Sequence, residues 1–312
     1  MSKKRHQHII PECYLKEWCD PLTPPGHEPY IWIISPDGSN KKRKSPRKSF
    51  TETDFYTVKL ADGSRNLVIE DSLSVIEDRF TRLRREAISR ERQLDLDPRG
   101  VLCVFTAMMS VRTMPERRSL TKSFTELHEM TESLERQFQP GGQRVASLET
   151  ERWKDQGHQF TIGHSIDFVS GELFEMHLCF LVAAHQQRFI TSDHPCVWFN
   201  PEAYKWPPML RGPGLAQKDI EITLPISPTH LAYFSWKRLP VLVKRDGKER
   251  AEGCDYLQIS DRFVGELNRR TRAFCDTCII SQTAETQARW FENVEPPKDS
   301  WDKQHRSRTK HD

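Results

Sequence analysis

The chain reads as an α+β protein, with a mixed β-sheet formed by N- and C-terminal strands and a helical insertion between them. Three observations predict this. Compact apolar runs with β propensity, such as Tyr30 to Ser35 (YIWIIS), occur before residue 70 and again after residue 160. Between them the apolar spacing lengthens to that of a helix. Strands and helices do not alternate regularly, as a parallel α/β sheet would require. The 312 residues suffice for a sizeable core. The order of elements suggests an N-terminal helix and β-hairpin segment at 1–70, a helical block at 71–160 and a C-terminal α/β segment of the same domain at 161–283. A flexible tail is expected over 284–312.

Pro11 suits the first turn of a helix. The stretch from Pro11 to Cys19 therefore reads as a short helix with Leu15 and Trp18 on one face. A proline-rich loop leads to the strand at Tyr30–Ser35, which the turn Ser35-Pro-Asp-Gly-Ser-Asn40 ends. The run Lys41–Lys48 (KKRKSPRK) follows as a basic loop. Asp54–Leu60 and Arg65–Glu70 flank Ala61-Asp-Gly-Ser64, which predicts a hairpin. From Asp71 the period changes. Leu73, Ile76, Phe80, Leu83 and Ala87 recur at helical spacing, with Asp71 or Ser72 as the cap. Asp95–Gly100 breaks that helix.

Leu102, Phe105, Met108 and Met109 begin a second helix. It should pause near Met114-Pro115, because proline disfavours helix in the residue before it. Ser119–Phe138 is a third helix of alternating charge, ended by Gln139–Gln143 (QPGGQ). His164–His177 has helical character, and Leu178–Ala184 either continues it or forms a strand. Arg188–Ser192 and Cys196–Asn200 flank the corner Asp193-His194-Pro195. Ile220–Pro228 and His230–Trp236 read as strands, Ile259–Ala273 as an amphipathic helix and Cys278–Ser281 as a closing strand.

With 36% hydrophobic and 29% charged residues, the composition is that of a polar, soluble chain. No run approaches the roughly 18 apolar residues of a membrane span. The opening MSKKRHQHIIPECYL lacks the apolar region of a secretory signal, so a cytoplasmic location without membrane attachment is expected. A net charge of +3 makes no global case for nucleic acid. Locally, Lys41–Lys48 and the last ten residues are basic. Either they contact phosphates, or they are a solvated loop and tail. The eight cysteines show no disulfide framework, which fits a reducing compartment. Cys275-Asp-Thr-Cys278 sits in a segment that reads as a strand. Residues three apart on a strand point to opposite faces and make a poor zinc pair.

Four distant places carry polar side chains in apolar or turn-forming surroundings, where charge is costly without partners. His8 precedes the first helix. It is either a general base or metal ligand, or a hydrogen-bonding cap. Glu52 and Asp54 stand two apart before a strand. They either share a divalent cation, Mg²⁺ or Mn²⁺, or form a self-bonded turn. Glu77 lies near the apolar stripe of its helix and needs a partner. Arg112, with its rigid guanidinium fork, is either that partner or a phosphate ligand. The corner Ser192-Asp193-His194 before Pro195 is either a site at a strand end or an ordinary turn. Arg152 and His158 have an R-x5-H spacing seen in HEPN ribonucleases, in a segment that reads as a loop. Phosphate-loop, dinucleotide, zincin and serine-hydrolase motifs are missing.

Taken in order, His8-x-Ile-Pro-x-x-Tyr-Leu-Lys-x-Trp18, Thr51–Thr57 (TETDFYT), Leu73-x-x-Ile-Glu77, Arg112-Thr-x-Pro-x-Arg-Arg118, Phe189–Pro195 (FITSDHP), Leu224–Pro228 (LPISP) and a late helix with Asn268 resemble a bacterial family of proteins known as domain of unknown function 4238. The similarity runs from His8 to about Ser281. It departs at Trp18, where phenylalanine is commoner in the family, and in the basic loop. The resemblance implies a single-domain cytoplasmic protein in which His8, Glu52, Glu77, Arg112 and Asp193 belong together. It also suggests a place in phage defence or a toxin system. It supplies no activity.

Two readings follow. The first is a metal-assisted nuclease. His8, Glu77, Arg112 and Asp193 would be catalytic, and Glu52, Asp54 and Asp193 would hold Mg²⁺ or Mn²⁺. Tyr14, Lys16, Lys42, Arg43, Ser192 and His194 would contact nucleic acid. The second is a non-catalytic sensor or partner-binding module in which the same residues are struts or ligand contacts.

Overall fold

Two ends of the chain meet in one sheet. The computed structural model describes residues 5–138, 145–239, 241–245, 248–252 and 255–292. The first strand, β1 (His6–His8), precedes the short helix α1 (Glu12–Leu15), which Lys16–Trp18 extends by one tighter turn. Leu15 and Trp18 are fully buried, as the one-faced pattern predicts, and Tyr14 is buried with them. Strand β2 (Ile31–Ile34) turns back through Gly38 into β3 (Lys41–Lys44). Gly38 has a φ of +76°, and a Cβ there would come within 2.7 Å of the Phe291 ring. The basic segment expected as a loop is therefore an edge strand. Its exposed lysines suit an edge, because charge there opposes pairing with other chains.

Strand β4 (Thr51–Thr53) pairs with β1, setting Gln7 opposite Glu52. The expected hairpin shrinks to β5 (Val58–Lys59) and β6 (Arg65–Asn66). The second arm becomes helical early: α2 (Val68–Glu86) starts ahead of Asp71, and the Asn66 side chain accepts from Val68 N at 2.9 Å. Asp71 and Ser72 thus lie inside the helix. Leu73, Phe80 and Leu83 face the core from α2, and the Phe80 ring stacks on Phe105 of α3 (Leu96–Val111).

The chain pauses at Arg112-Thr113 and resumes as α4 (Met114–Phe138), as the proline predicts. The expected helix end at Gln139–Gln143 lies outside the described residues. The long helix α5 (Val145–Glu175) contains Arg152 and His158, so that segment is not a loop. Six residues on a helix turn 240° from a common face. Arg152 is exposed and His158 buried, and they form no pair.

The ambiguous apolar run becomes β7 (His177–Ala183). After it come β8 (Thr191–Ser192), β9 (Val197–Phe199), β10 (Glu221–Pro225), β11 (His230–Ser235), β12 (Val241–Arg245), β13 (Lys248–Glu252), β14 (Tyr256–Ile259), α6 (Asp261–Phe274) and β15 (Ile279–Ser281). One sheet has the order β3-β2-β15-β8, all antiparallel, and joins N- and C-terminal strands. A second, of order β14-β7-β11-β10-β9, is mixed: only β14–β7 is parallel. Cys275 ends α6 and Cys278 precedes β15, so the pair spans a bend and not a strand.

The fold is α+β, and its helical insertion runs over 68–175. One apolar core contains residues from Ile9 to Ile280. Each large side chain buried there contributes about 1.5–3 kcal/mol. Packing also passes residue 283: Trp290 is buried against Ile34, Ile190 and Ile279, so the expected tail begins with ordered structure. Its basic end lies outside the described residues.

Candidate functional site

Three of the four catalytic candidates meet at Arg112, which caps α3 and is only 2% exposed. Its Nε donates to the Tyr56 hydroxyl at 2.9 Å, and Nη1 donates to Glu77 Oε1 at 2.7 Å. Nη1 also lies 3.4 Å from Met108 Sδ, and Nη2 donates to the His8 carbonyl. Every arm of the fork meets a protein partner. Burial alone would lower the Arg112 pKa, but Tyr56 and Glu77 raise it, so the group stays charged. The Tyr56 hydroxyl is pushed up to about 12 by burial, against the pull of Arg112. His8 contributes its backbone to Arg112. Its half-buried ring lies 3.2 Å from the Arg47 carbonyl, and burial lowers its pKa. This is an internal strut tying β1, α2 and α3 together.

Asp193 belongs to another assembly. Its carboxylate accepts from the backbone N–H groups of Asp276, Thr277 and Cys278 at 2.9, 2.6 and 3.2 Å, and from the Thr277 hydroxyl at 2.5 Å. These bonds fix the bend between α6 and β15. Buried Ser192 accepts from His194 N and donates to His194 O, an ordinary hydroxyl-stabilised corner. Asn268 on α6 accepts from Ile190 N and donates to the Arg188 carbonyl, anchoring the same segment.

The remaining candidates are dispersed. Tyr14 is fully buried and shares hydrogen bonds with Thr191 and the Pro225 carbonyl; burial raises its pKa steeply. Lys16 pairs with Glu12 at 2.9 Å on the surface. Lys42 is exposed on β3, and the Arg43 guanidinium lies 4.8 Å from the Tyr30 and Trp32 ring centres. Glu52 is exposed. Asp54, at a φ of +57°, pairs with Arg65 and accepts from Thr57. Glu52, Asp54 and Asp193 do not converge, and two of the three carboxylates are already engaged. Among the described residues no group of three His, Cys, Asp or Glu side chains could hold a metal ion. The residues expected to bind Mg²⁺ or Mn²⁺ do not fit that role.

What does converge is a cleft of about 370 Å³ lined by Ser110, Glu116, Ser165, Phe168, His194 and Trp198, with Phe274 at its wall. Of the residues singled out in the sequence, only His194 lines it. His194 Nδ1 lies 3.1 Å from the Phe274 carbonyl. A carbonyl can only accept, so Nδ1 donates to it, and Nε2 is the acceptor nitrogen of the neutral ring. Glu116, in the first turn of α4, is half-buried. Burial raises its pKa, while nearby His194 opposes the shift. A carboxyl perturbed by burial beside an imidazole in a cleft marks a functional-site candidate. Arg118, one residue beyond Arg117 on α4, reaches across to Asp276 at 2.6 Å.

The sequence reading passed over Glu116. The signal was available: it lies directly after Met114-Pro115 at a helix start, where an acidic residue favours the dipole. Cys196, also in the cleft wall, is fully buried with its thiol pushed up to about 12, which makes it a packing group and not a nucleophile.

These features define an α+β protein with an aromatic-walled cleft that holds one carboxyl and one imidazole. The chain belongs to the family of proteins of unknown function DUF4238, whose family model matches residues 6–285. No curated protein and no solved structure matches it. Among the described residues no helix is long and apolar enough to cross a membrane.

Proposed function

We propose that the chain cleaves RNA at the Glu116–His194 cleft by acid–base chemistry. The observation that carries this reading is the pairing of a burial-perturbed carboxyl with an imidazole whose Nδ1 is held by the Phe274 carbonyl, so that Nε2 is the acceptor of the neutral ring. In the proposed step His194 Nε2 takes the proton of a ribose 2′-hydroxyl, and that oxygen attacks the adjacent phosphorus. The 5′-oxygen leaves with the proton of the Glu116 carboxyl. The products are a 2′,3′-cyclic phosphate and a free 5′-hydroxyl. Such proton transfers contribute typically 10²–10⁴-fold each. Trp198, Phe168 and Phe274 offer faces for base stacking. The exposed basic edge Lys41–Lys44 would draw in the polyanion.

The test is incubation of purified protein with RNA and DNA of one sequence, with EDTA or with Mg²⁺. RNA cleavage to cyclic-phosphate ends, insensitive to EDTA and lost in Glu116→Gln and His194→Ala, is the expected result. Cleavage that requires the metal, or that survives both substitutions, would overturn it. The largely apolar cleft wall favours one other reading, a sensor that binds without turnover. That reading predicts a rise in melting temperature with oligonucleotide and no cleavage.

A further inference from the structure

A second hollow shares no lining residue with the Glu116–His194 cleft. It forms where three strands begin or end. β7 starts at His177, opposite Ser235 at the end of β11. β14 starts just after Asp255, whose carbonyl accepts from Phe180 N at 2.7 Å. Arg238, just past β11, and Arg99, in the first turn of α3, complete the lining. The hollow has a volume of about 250 Å³. A water molecule takes about 30 Å³, so a small hydrated ligand fits. Its charge is unbalanced. Arg99 donates through Nη2 to the carbonyls of Phe174 and Met176, and its guanidinium lies 5.5 Å from the Phe174 ring centre. These contacts hold the group in place, yet among the described residues its Nε and Nη1 have no protein partner. Arg238 is exposed and makes no ion pair among the described residues. Asp255 is the one carboxylate in the described lining, and it is paired with neither arginine. Both guanidiniums act on the His177 ring: burial, then Arg238 and Arg99, lower its pKa. Like charges this close repel, and an anion between them relieves the repulsion.

We infer that this hollow binds a small phosphate that also carries a hydroxyl, either hydrogen phosphate or a sugar phosphate. Arg99 and Arg238 supply charged N–H donors to the phosphoryl oxygens, a pairing stronger than that of neutral groups. The neutral His177 ring adds one more N–H. Asp255 sets the selectivity. An ionised carboxylate can only accept, so it repels a bare oxyanion. It accepts from the P–OH of hydrogen phosphate, or from a hydroxyl of the sugar. Sulfate has no proton at neutral pH and offers Asp255 nothing. The hollow stands apart from the cleft, so RNA cleavage can fail while phosphate still binds.

The test is a titration of the full chain at neutral pH with sodium phosphate, ribose 5-phosphate or sodium sulfate, from about 0.1 to 20 mM to bracket a weak site. Sodium chloride holds the ionic strength constant, so that screening does not change. The readouts are the melting temperature and the His177 ring resonance, identified by its absence in His177→Gln. Phosphate should raise the melting temperature and move the His177 resonance toward that of the protonated ring, both along one saturating curve. Sulfate should bind about tenfold or more weakly. Arg238→Gln alters an exposed side chain, so the unliganded melting temperature should hold while phosphate binding weakens about tenfold or more. Asp255→Asn should bring sulfate level with phosphate. Tighter binding of ribose 5-phosphate than of phosphate would assign the site to a sugar phosphate, and the reverse to the free ion. Phosphate that acts no better than chloride, or that binds Arg238→Gln undiminished, would overturn the site. Sulfate that matches phosphate in the wild-type chain would overturn the hydroxyl requirement.

Discussion

Replacing Arg112 separates a strut from a phosphate ligand. Its guanidinium is 2% exposed and donates to Tyr56, to Glu77 and to the His8 carbonyl. Arg112→Met keeps the length and loses all of these bonds. It leaves the Glu77 carboxylate, itself only 23% exposed, without its cation. Removing one partner of a buried pair costs about 3–5 kcal/mol. Glu77 keeps some water, so the lower end, about 3 kcal/mol, is expected. Arg112→Met/Glu77→Gln should regain about 1–2 kcal/mol of that loss, because the stranded charge is gone. The assay is urea unfolding of the four proteins in a double-mutant cycle, read from the midpoint at constant slope. Arg112→Lys should also destabilise, because one ammonium cannot reach three separated acceptors. A cost below about 1 kcal/mol for Arg112→Met, with RNA cleavage abolished, would refute the strut and return Arg112 to a ligand role.

His158 is buried against Phe55 and Tyr56, and burial holds its pKa down to about 4. The unfolded imidazole titrates near 6.5. The unfolded chain therefore binds the extra proton first, and stability falls as pH drops from about 6.5 towards 4, by about 3 kcal/mol in all; His158→Phe should flatten that slope in unfolding curves taken between pH 7 and 4. Asp193→Ala removes the acceptor for three backbone N–H groups and should cost about 2–4 kcal/mol, with calorimetry showing no added loss when Mg²⁺ is withheld. Gly157→Ala would normally gain about 1 kcal/mol inside a helix. Here the new Cβ would fall on the Phe124 ring, so thermal melts should show destabilisation in the wild-type background and stabilisation in Phe124→Ala.

The fold was legible wherever side-chain period decided the outcome. Leu73, Phe80 and Leu83 repeat at helical spacing and lie buried on α2. The amphipathic pattern over Ile259–Ala273 is met by α6 (Asp261–Phe274), which Ser260 caps by accepting from Phe263 N. Reading failed where tertiary pairing overrode local character. Lys41–Lys44 has the composition of a solvated loop, yet β2 supplies a backbone partner for each residue. Leu67–Glu70 has β-branched character and continues the hairpin pattern, but burial of Leu73 and Phe80 pulls the helix back to Val68. Gly157 reads as a breaker and instead makes room for Phe124.

The site was half legible, for a reason rooted in the cost of burying charge. Polar residues in apolar surroundings stand out in a sequence, and a fold satisfies most such residues internally. Arg112 and Tyr14 are buried and bonded, and the partly exposed Glu77 and Asp193 are engaged by Arg112 and by the backbone at 276–278, so the polar residues that stand out in the sequence are ones the fold has already partnered. A group that remains free for chemistry must be partly buried and incompletely paired, and its surroundings come from remote segments. Glu116 sits at a helix start among charged neighbours, and only the approach of the β8–β9 corner and the end of α6 places it beside His194 and Phe274. His194 could be found because Pro195 marks its corner. Its orientation could not, since the carbonyl that fixes Nδ1 lies 80 residues away in sequence. The incompletely satisfied pair, and not the most deeply buried charge, is therefore where activity should be sought in this chain.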